Sequence, residues 1–167
     1  MIIGNKAVGG LTRTHGQYIT TTIDETYTMP TTFSCASFIS EQMLASPAQQ
    51  YTILYNKFFS VIKFEVEPKV IKGPEALGGS GMFDEFEFEG DKEVVLADMY
   101  QFNLACTVFS CLLENITSEQ ASRMTAMDSA TSNANEAANK LRIQYNRLRQ
   151  AKITTELTEI VAGAESV

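Results

Sequence analysis

Residues Ser118 to Ala164 constrain this chain more than any other stretch. They contain no proline, and their one glycine, Gly163, lies almost at the end. Alanine, leucine, methionine, glutamate, glutamine, lysine and arginine dominate, and these residues lose least on entering a helix. Apolar or small residues recur at alternating spacings of three and four: Met127, Ala130, Ala134, Ala137, Leu141, Gln144, Leu148 and Ala151. That repeat draws a narrow stripe down one helix face, the seam of a coiled coil. Because the middle of the seam is alanine, a partner helix can approach closely, but each turn buries little apolar area. Beyond Ala151 the stripe changes phase, and Ile153, Leu157, Ile160, Val161 and Ala164 form a bulkier apolar face. A helix of this kind is not stable alone.

The same helix is predicted to begin near Lys92 and run to Gly163. At the usual rise it would extend on the order of 100 Å. Its first part carries Leu96, Met99, Phe102, Cys106, Phe109, Leu112 and Leu113, enough to pack on a sheet. Asn115 and Thr117 mark the exit from that core.

Upstream, Met1–Ile3 reads as the end of a buried strand and Gly4 as a turn. A short helix over Lys6–Arg13 is weakened by Gly9 and Gly10. Tyr18–Asp24 is rich in β-branched residues and predicts a strand, broken by Met29-Pro30. Thr31 or Thr32 can cap a helix over Phe33–Ala45, which Pro47 stops. Tyr51–Tyr55 and Val61–Val66 predict an antiparallel pair joined through Asn56–Phe59. Pro68–Gly81 reads as a Pro- and Gly-rich connection. Met82–Asp91 alternates aromatics with acids, as an edge strand does. The fold class expected is α/β: a partial sandwich over residues 1–91 and one very long helix over 92–167.

A net charge of −7 argues against nucleic acid as the main partner. The longest mostly apolar run, Leu104–Leu113, is shorter than the roughly 20 residues that cross a bilayer. Cys35, Cys106 and Cys111 lack metal or redox spacing and read as small buried apolar residues. His15 is the only histidine, with no recognisable carboxylate or cysteine partner, and reads as structural. Gly9-Gly10 and Gly78-Gly79-Ser80-Gly81 fall short of a dinucleotide or phosphate-loop pattern. No cofactor and no metal are expected.

Three blocks in the long helix carry a family resemblance. The first is Ser118-Glu119-Gln120-Ala121-Ser122-Arg123-Met124-Thr125-Ala126-Met127-Asp128. The second is Tyr145-Asn146-Arg147 followed by Arg149-Gln150-Ala151. The third is Ile153-Thr154-Thr155-Glu156-Leu157-Thr158-Glu159, closing with Gly163-Ala164-Glu165-Ser166. Together they resemble the C-terminal helix of the gamma subunits of F-type ATP synthases, and the resemblance runs more weakly over the rest of the chain.

The resemblance implies a Rossmann-like globular domain that holds no nucleotide, and a central rotor that couples proton-driven rotation of the c-ring to the catalytic beta subunits. The subunit would not itself be a catalyst. Arg123, Gln150 and Thr154 match positions that make polar contacts with a beta subunit. Arg147, Arg149 and Lys152 would put positive charge on the shaft near its upper third, Arg147 and Arg149 where it meets the alpha and beta subunits. Ile153, Leu157, Ile160 and Val161 would turn inside an apolar sleeve formed by them. Phe86, Glu87, Phe88, Glu89 and Asp91 would belong to the foot on the c-ring. Delta- or epsilon-type stalk subunits are further implied partners. The implied place is the matrix side of the mitochondrial inner membrane, peripheral and without a membrane span.

The family winds its shaft from two antiparallel helices, and only the C-terminal one has a counterpart in this sequence. The chain is therefore read either as a fragment or as part of a subunit split between polypeptides. The unfilled seam predicts a companion chain that brings the other helix and completes the sheet. The competing reading is a coiled-coil adaptor that holds two partners without rotating. A third, an enzyme with a partial dinucleotide fold, lacks its fingerprint.

Overall fold

The computed structural model describes residues 1–24, 26, 30–46, 48–73, 83 and 85–165. The segments expected to break or stop elements at Met29 and Pro47 lie outside the described residues, as do the loop from 74 to 82 and Ser166 of the closing block. Strand β1 (Ile2–Ile3) leads into helix α1 (Asn5–His15), a 3-10 turn (Gly16–Tyr18) and strand β2 (Thr22–Ile23). Helix α2 (Phe33–Leu44), strands β3 (Gln50–Phe58) and β4 (Phe64–Lys72), and helix α3 (Lys92–Glu165) follow. The chain divides into two compact units, Met1–Gln120 and Ala121–Val167.

Within the first unit the strands form two separate pairs. β1 and β2 are parallel. Gly4, at φ 98°, turns the chain from β1 into α1 while its N–H donates to the Ile23 carbonyl at 2.9 Å. A side chain there would be strained in this left-handed conformation. The short helix survives its two glycines over the whole of Asn5–His15, yet it buries none of its side chains.

β3 and β4 form an antiparallel hairpin in which Leu54 faces Pro68. This corrects the expected strand limits. Both strands are nine residues long, and the turn falls at Phe59–Lys63, closed by Phe59 N–H to the Lys63 carbonyl at 3.1 Å. The expected loop from Pro68 begins only after Lys72. At the far end Gly73 N–H donates to Gln49 at 2.9 Å. These two closures make the odd-numbered residues of β3 the hydrogen-bonded ones. Pro68 therefore sits where its nitrogen points away from β3, and its missing N–H removes no rung. A Cβ at Gly73 would lie 2.8 Å from the Gln49 carbonyl oxygen, so the closure needs glycine.

One core joins these pieces. Ala36 and Ile39 of α2, Ile71 of β4, and Tyr100, Leu104 and Val108 of α3 are buried together, with Ile3, Ile23, Tyr51 and Ile53 packed around them. Tyr100, Leu104 and Val108 recur every four residues and so share one face of α3. Thr32 takes the N-cap position of α2 as expected, but its backbone carbonyl accepts from Cys35 N–H and its side chain makes no cap bond. At the end of the same helix the Tyr51 hydroxyl reaches the Met43 carbonyl at 2.9 Å and the Ser46 carbonyl at 3.1 Å. That ties the helix C-terminus to β3.

α3 also contains an 18-residue window of mean hydropathy 1.3, long and apolar enough to cross a membrane by length and composition. A core helix carries the same signature, and the apolar part of α3 is the part that supplies Tyr100, Leu104 and Val108 to the core.

Two substitutions test this packing. Leu104 is fully buried, so Leu104→Ala is expected to destabilise the unit by about 2–5 kcal/mol in urea unfolding. The Tyr100 hydroxyl is buried without a hydrogen-bond partner among the described residues. Tyr100→Phe is therefore expected to leave stability unchanged or raise it by about 1 kcal/mol; a clear loss would mean the hydroxyl is bonded after all.

Candidate functional site: an unpartnered helix anchored at one end

Asp91 starts α3. Its Oδ1 accepts the Glu93 N–H at 3.0 Å and its carbonyl accepts the Val95 N–H at 3.1 Å, which satisfies donors a helix start leaves open. Before it, Gly90 takes φ 105°. No strand is present among the described residues of 82–91, so the edge-strand expectation is not met. Phe83 instead packs edge-on against Phe86 and Phe88 at centroid distances of 6.1 and 6.4 Å. Lys92 lies 5.5 Å from the Phe88 ring centroid. Phe86, Glu87 and Glu89 are exposed. The five residues assigned to a foot thus form a short acidic loop on an aromatic cluster, directly ahead of the helix.

The buried stripe of α3 runs Leu96, Tyr100, Leu104, Val108, Cys111. One turn on it becomes polar. Asn115 Oδ1 accepts from Asn56 Nδ2 at 2.7 Å. Ser118 Oγ is within 2.8 Å of the Glu114 carbonyl and 3.4 Å of the Asn56 carbonyl. Glu114 Oε2 accepts from the Phe58 N–H at 3.4 Å. Asn56 and Phe58 are even-numbered, so their backbone groups point away from β4. Helix side chains thus fill the role of a neighbouring strand along this part of the β3 edge. Sequence reasoning placed Asn115 at the exit from the core but did not pair it with Asn56. The available signal was an amide in an otherwise apolar strand and a second amide at a buried-stripe position.

Charge near this corner is locally paired. The Lys57 ammonium lies 3.0 Å from Glu67, and that hydrogen bond and charge hold its pKa above the ordinary lysine range. Burial pushes the Cys111 thiol up; Glu114 adds to this and Lys69 opposes it. All three cysteines are free thiols. His15 has its Nδ1 2.8 Å from Thr14 Oγ1, a local contact at a helix end. Among the described residues no group of histidine, cysteine, aspartate or glutamate could hold a metal ion.

In the second unit every residue from Ser122 to Ala164 is exposed. The structure brings the seam residues Met127, Ala130, Ala134, Ala137, Leu141, Gln144, Leu148 and Ala151 onto one continuous helix and leaves them bare; Leu148 is 71% exposed. Ile153, Leu157, Ile160 and Val161 are bare as well, as are Arg123, Arg147, Arg149, Gln150 and Thr154. Local bonds are those of a solvated helix: Lys140 to Glu136 at 2.6 Å, Lys152 to Glu156 at 3.7 Å, and Thr154 Oγ1 to the Gln150 carbonyl at 2.9 Å. Pairs of this kind contribute a few tenths of a kcal/mol each, about 0.2–0.5. They cannot replace a buried face.

A small α/β unit and one long, largely exposed helix with a 3-4 apolar stripe are the features of a stalk-type subunit. A sequence model of the ATP synthase family matches residues 1–167. The chain is 41% identical over its whole length to the ATP synthase gamma chain of Paramagnetospirillum magneticum, covering 60% of that protein. To the mitochondrial ATP synthase subunit gamma of Arabidopsis thaliana it is 35% identical, again over its whole length, covering 54%. The central stalk of the Tetrahymena thermophila mitochondrial ATP synthase superposes with a TM-score of 0.65 at 25% identity, over 77% of this chain and 58% of that one. A chain of the Euglena gracilis mitochondrial ATP synthase gives a TM-score of 0.71 at 21% identity, over 98% and 60%; that likeness is one of fold. The chain belongs to the ATP synthase family, among its gamma chains. It spans about 60% of the length of the first of these relatives.

Two measurements follow from the geometry. In the isolated chain, amides of the bare segment from Ser122 are expected to exchange with deuterium far faster than those of Tyr100–Cys111, and to slow on assembly. Maleimide is expected to label Cys35 and Cys106, both partly accessible, before Cys111. Because the Cys111 pKa is raised in the folded state, its contribution to stability is present below the ordinary thiol pKa and is lost as pH rises through the folded value.

Proposed function

We propose that this chain is the C-terminal part of a rotating central shaft in a proton-translocating ATP synthase. It would transmit c-ring rotation to the catalytic beta subunits and perform no catalysis itself. The bare seam on a family-matched helix is the observation that carries this reading. A helix with one open apolar stripe and a second, out-of-phase apolar tip is suited to two different surroundings along its length. Arg123, Gln150 and Thr154 would make polar contacts with a beta subunit, the guanidinium through paired bonds to a carboxylate. Arg147 and Arg149 would add positive charge beside them. Ile153, Leu157, Ile160 and Val161 would turn against apolar walls with few directional bonds. A shaft that contacts each beta conformer with a different free energy shifts their populations as it turns.

The seam calls for an antiparallel helix, supplied by a companion segment. Support for a companion also comes from the first unit. The outward backbone groups of Thr52 and Leu54 find no hydrogen-bond partner among the described residues. β1 and β2 form their own pair beside the same core, and α1 buries nothing. A strand and a further layer from the companion would satisfy all three. The outer face of the hairpin, with Leu54 72% and Val66 68% exposed, offers apolar area to stalk subunits of the delta or epsilon type. The loop holding Phe86, Glu87, Phe88, Glu89 and Asp91 would be the foot on the c-ring. The location would be the matrix side of the mitochondrial inner membrane; the mitochondrial relatives support the mitochondrial part of this reading.

Mass spectrometry of the native particle tests the reading. Alpha, beta and c subunits together with a polypeptide bearing the second helix are expected; recovery without alpha and beta would favour a stationary adaptor. In the assembled complex, Arg123→Ala is expected to lower ATP hydrolysis and synthesis without preventing assembly. Turnover equal to wild type would remove Arg123 from the contact.

A further inference from the structure

We infer that Asn56 and Asn115, with Glu114 and Ser118, form the clasp that locks α3 to the globular unit against rolling and sliding, and so pass torque from one to the other; this rests on the shaft reading above. The buried stripe of α3 presses the helix onto the core through Leu96, Tyr100, Leu104 and Val108. Apolar burial is non-directional, so its energy changes slowly when a helix rolls about its axis or slips along it. A hydrogen bond weakens steeply with angle and distance. A rotor under load needs the second kind of contact where the helix leaves its base.

The clasp lies at that place. Ser118, only 2% exposed, is two residues before the end of the first compact unit at Gln120. Three of the clasp's polar contacts reach one short stretch of β3, while Ser118 Oγ also bonds the Glu114 carbonyl within the helix at 2.8 Å. Asn56 contributes its side-chain amide at 2.7 Å to Asn115 and its carbonyl at 3.4 Å to Ser118. Phe58 contributes its N–H at 3.4 Å to Glu114. Ser118 lies four residues after Glu114 and three after Asn115, so it shares a face with each, and the neighbouring Glu114 and Asn115 spread the bonds around the helix, fixing both its roll and its axial position. Beside the clasp, Phe58, Cys106, Phe109, Leu113 and Thr117 line an open groove of about 330 Å³.

The positioning role is tested in the assembled complex, reconstituted in vesicles, by measuring proton pumping per ATP hydrolysed. Asn115→Leu keeps the volume and removes the acceptor; Asn115→Asp keeps an oxygen for Asn56. Losing a directional bond of ordinary strength shifts a locked-to-slipped balance by up to about ten-fold. Asn115→Leu is expected to assemble and hydrolyse ATP normally while pumping per ATP falls by about half or more. Asn115→Asp is expected to retain the wild-type ratio. Should Asn115→Leu fail to assemble, Ser118→Ala carries the test, with a smaller fall expected. An unchanged ratio in an assembled Asn115→Leu or, in its place, Ser118→Ala complex overturns the clasp and leaves the shaft reading standing. A wild-type particle containing this chain but showing no ATP-driven pumping overturns both.

Discussion

A helix needs a buried face, and the whole chain depends on where α3 finds one. Helix formation in water is marginal without tertiary contact. Over its first turns α3 receives that contact from Ala36 and Ile39 of α2 and Ile71 of β4. From Ser122 to Ala164 its residues are exposed. The first part therefore behaves as a core element and organises the strands around it. The second part is exposed, and under the reading proposed above its alanine seam would suit a helix that approaches closely, gaining contact from short distance more than from large side chains.

The same accounting applies to backbone polar groups. Each strand edge needs partners for its N–H and C=O groups. β3 is paired with β4 on one side. On the other, its C-terminal end is served by Glu114 and Ser118 of α3, while the outward groups of Thr52 and Leu54 have no partner among the described residues. The open edge groups and the bare seam are both contact capacity that the described residues do not use. The buried, unbonded Tyr100 hydroxyl is a smaller instance of polar capacity without a partner.

Much of this was legible in the sequence because helix periodicity is a strong signal. The start of α3 at Lys92 and its run to the C-terminal end follow from composition and from the absence of proline. α2 was legible for the same reason. The hairpin was only half legible. Phe58 to Phe64 is apolar almost throughout and lacks the Asn-Gly or Asp-Gly chemistry that marks a tight turn, so the turn was placed too early. Pro68 looked like a strand breaker because whether a proline interrupts a ladder depends on register, and register is a property of two strands. The acidic–aromatic alternation of 82–91 mimicked a strand, but the described aromatics there cluster on one another. The Asn56–Asn115 pair was invisible for a related reason. Two amides 59 residues apart in sequence meet only once the strand and the helix have docked.

These features divide the work of one helix between two kinds of contact. Where α3 is seated, apolar burial supplies stability and the amide–hydroxyl cluster supplies direction. Where its tip carries Ile153, Leu157, Ile160 and Val161, the sequence offers bulk without a matching set of buried polar groups. A surface of that kind sets few angular minima, since directional bonds are what make rotation costly. On the shaft reading proposed above, the seat would resist rotation and the tip would permit it. The polar residues in the stripe at Asn115 and Ser118, and the aliphatic residues beyond Ala151, place those opposite properties on the same continuous helix.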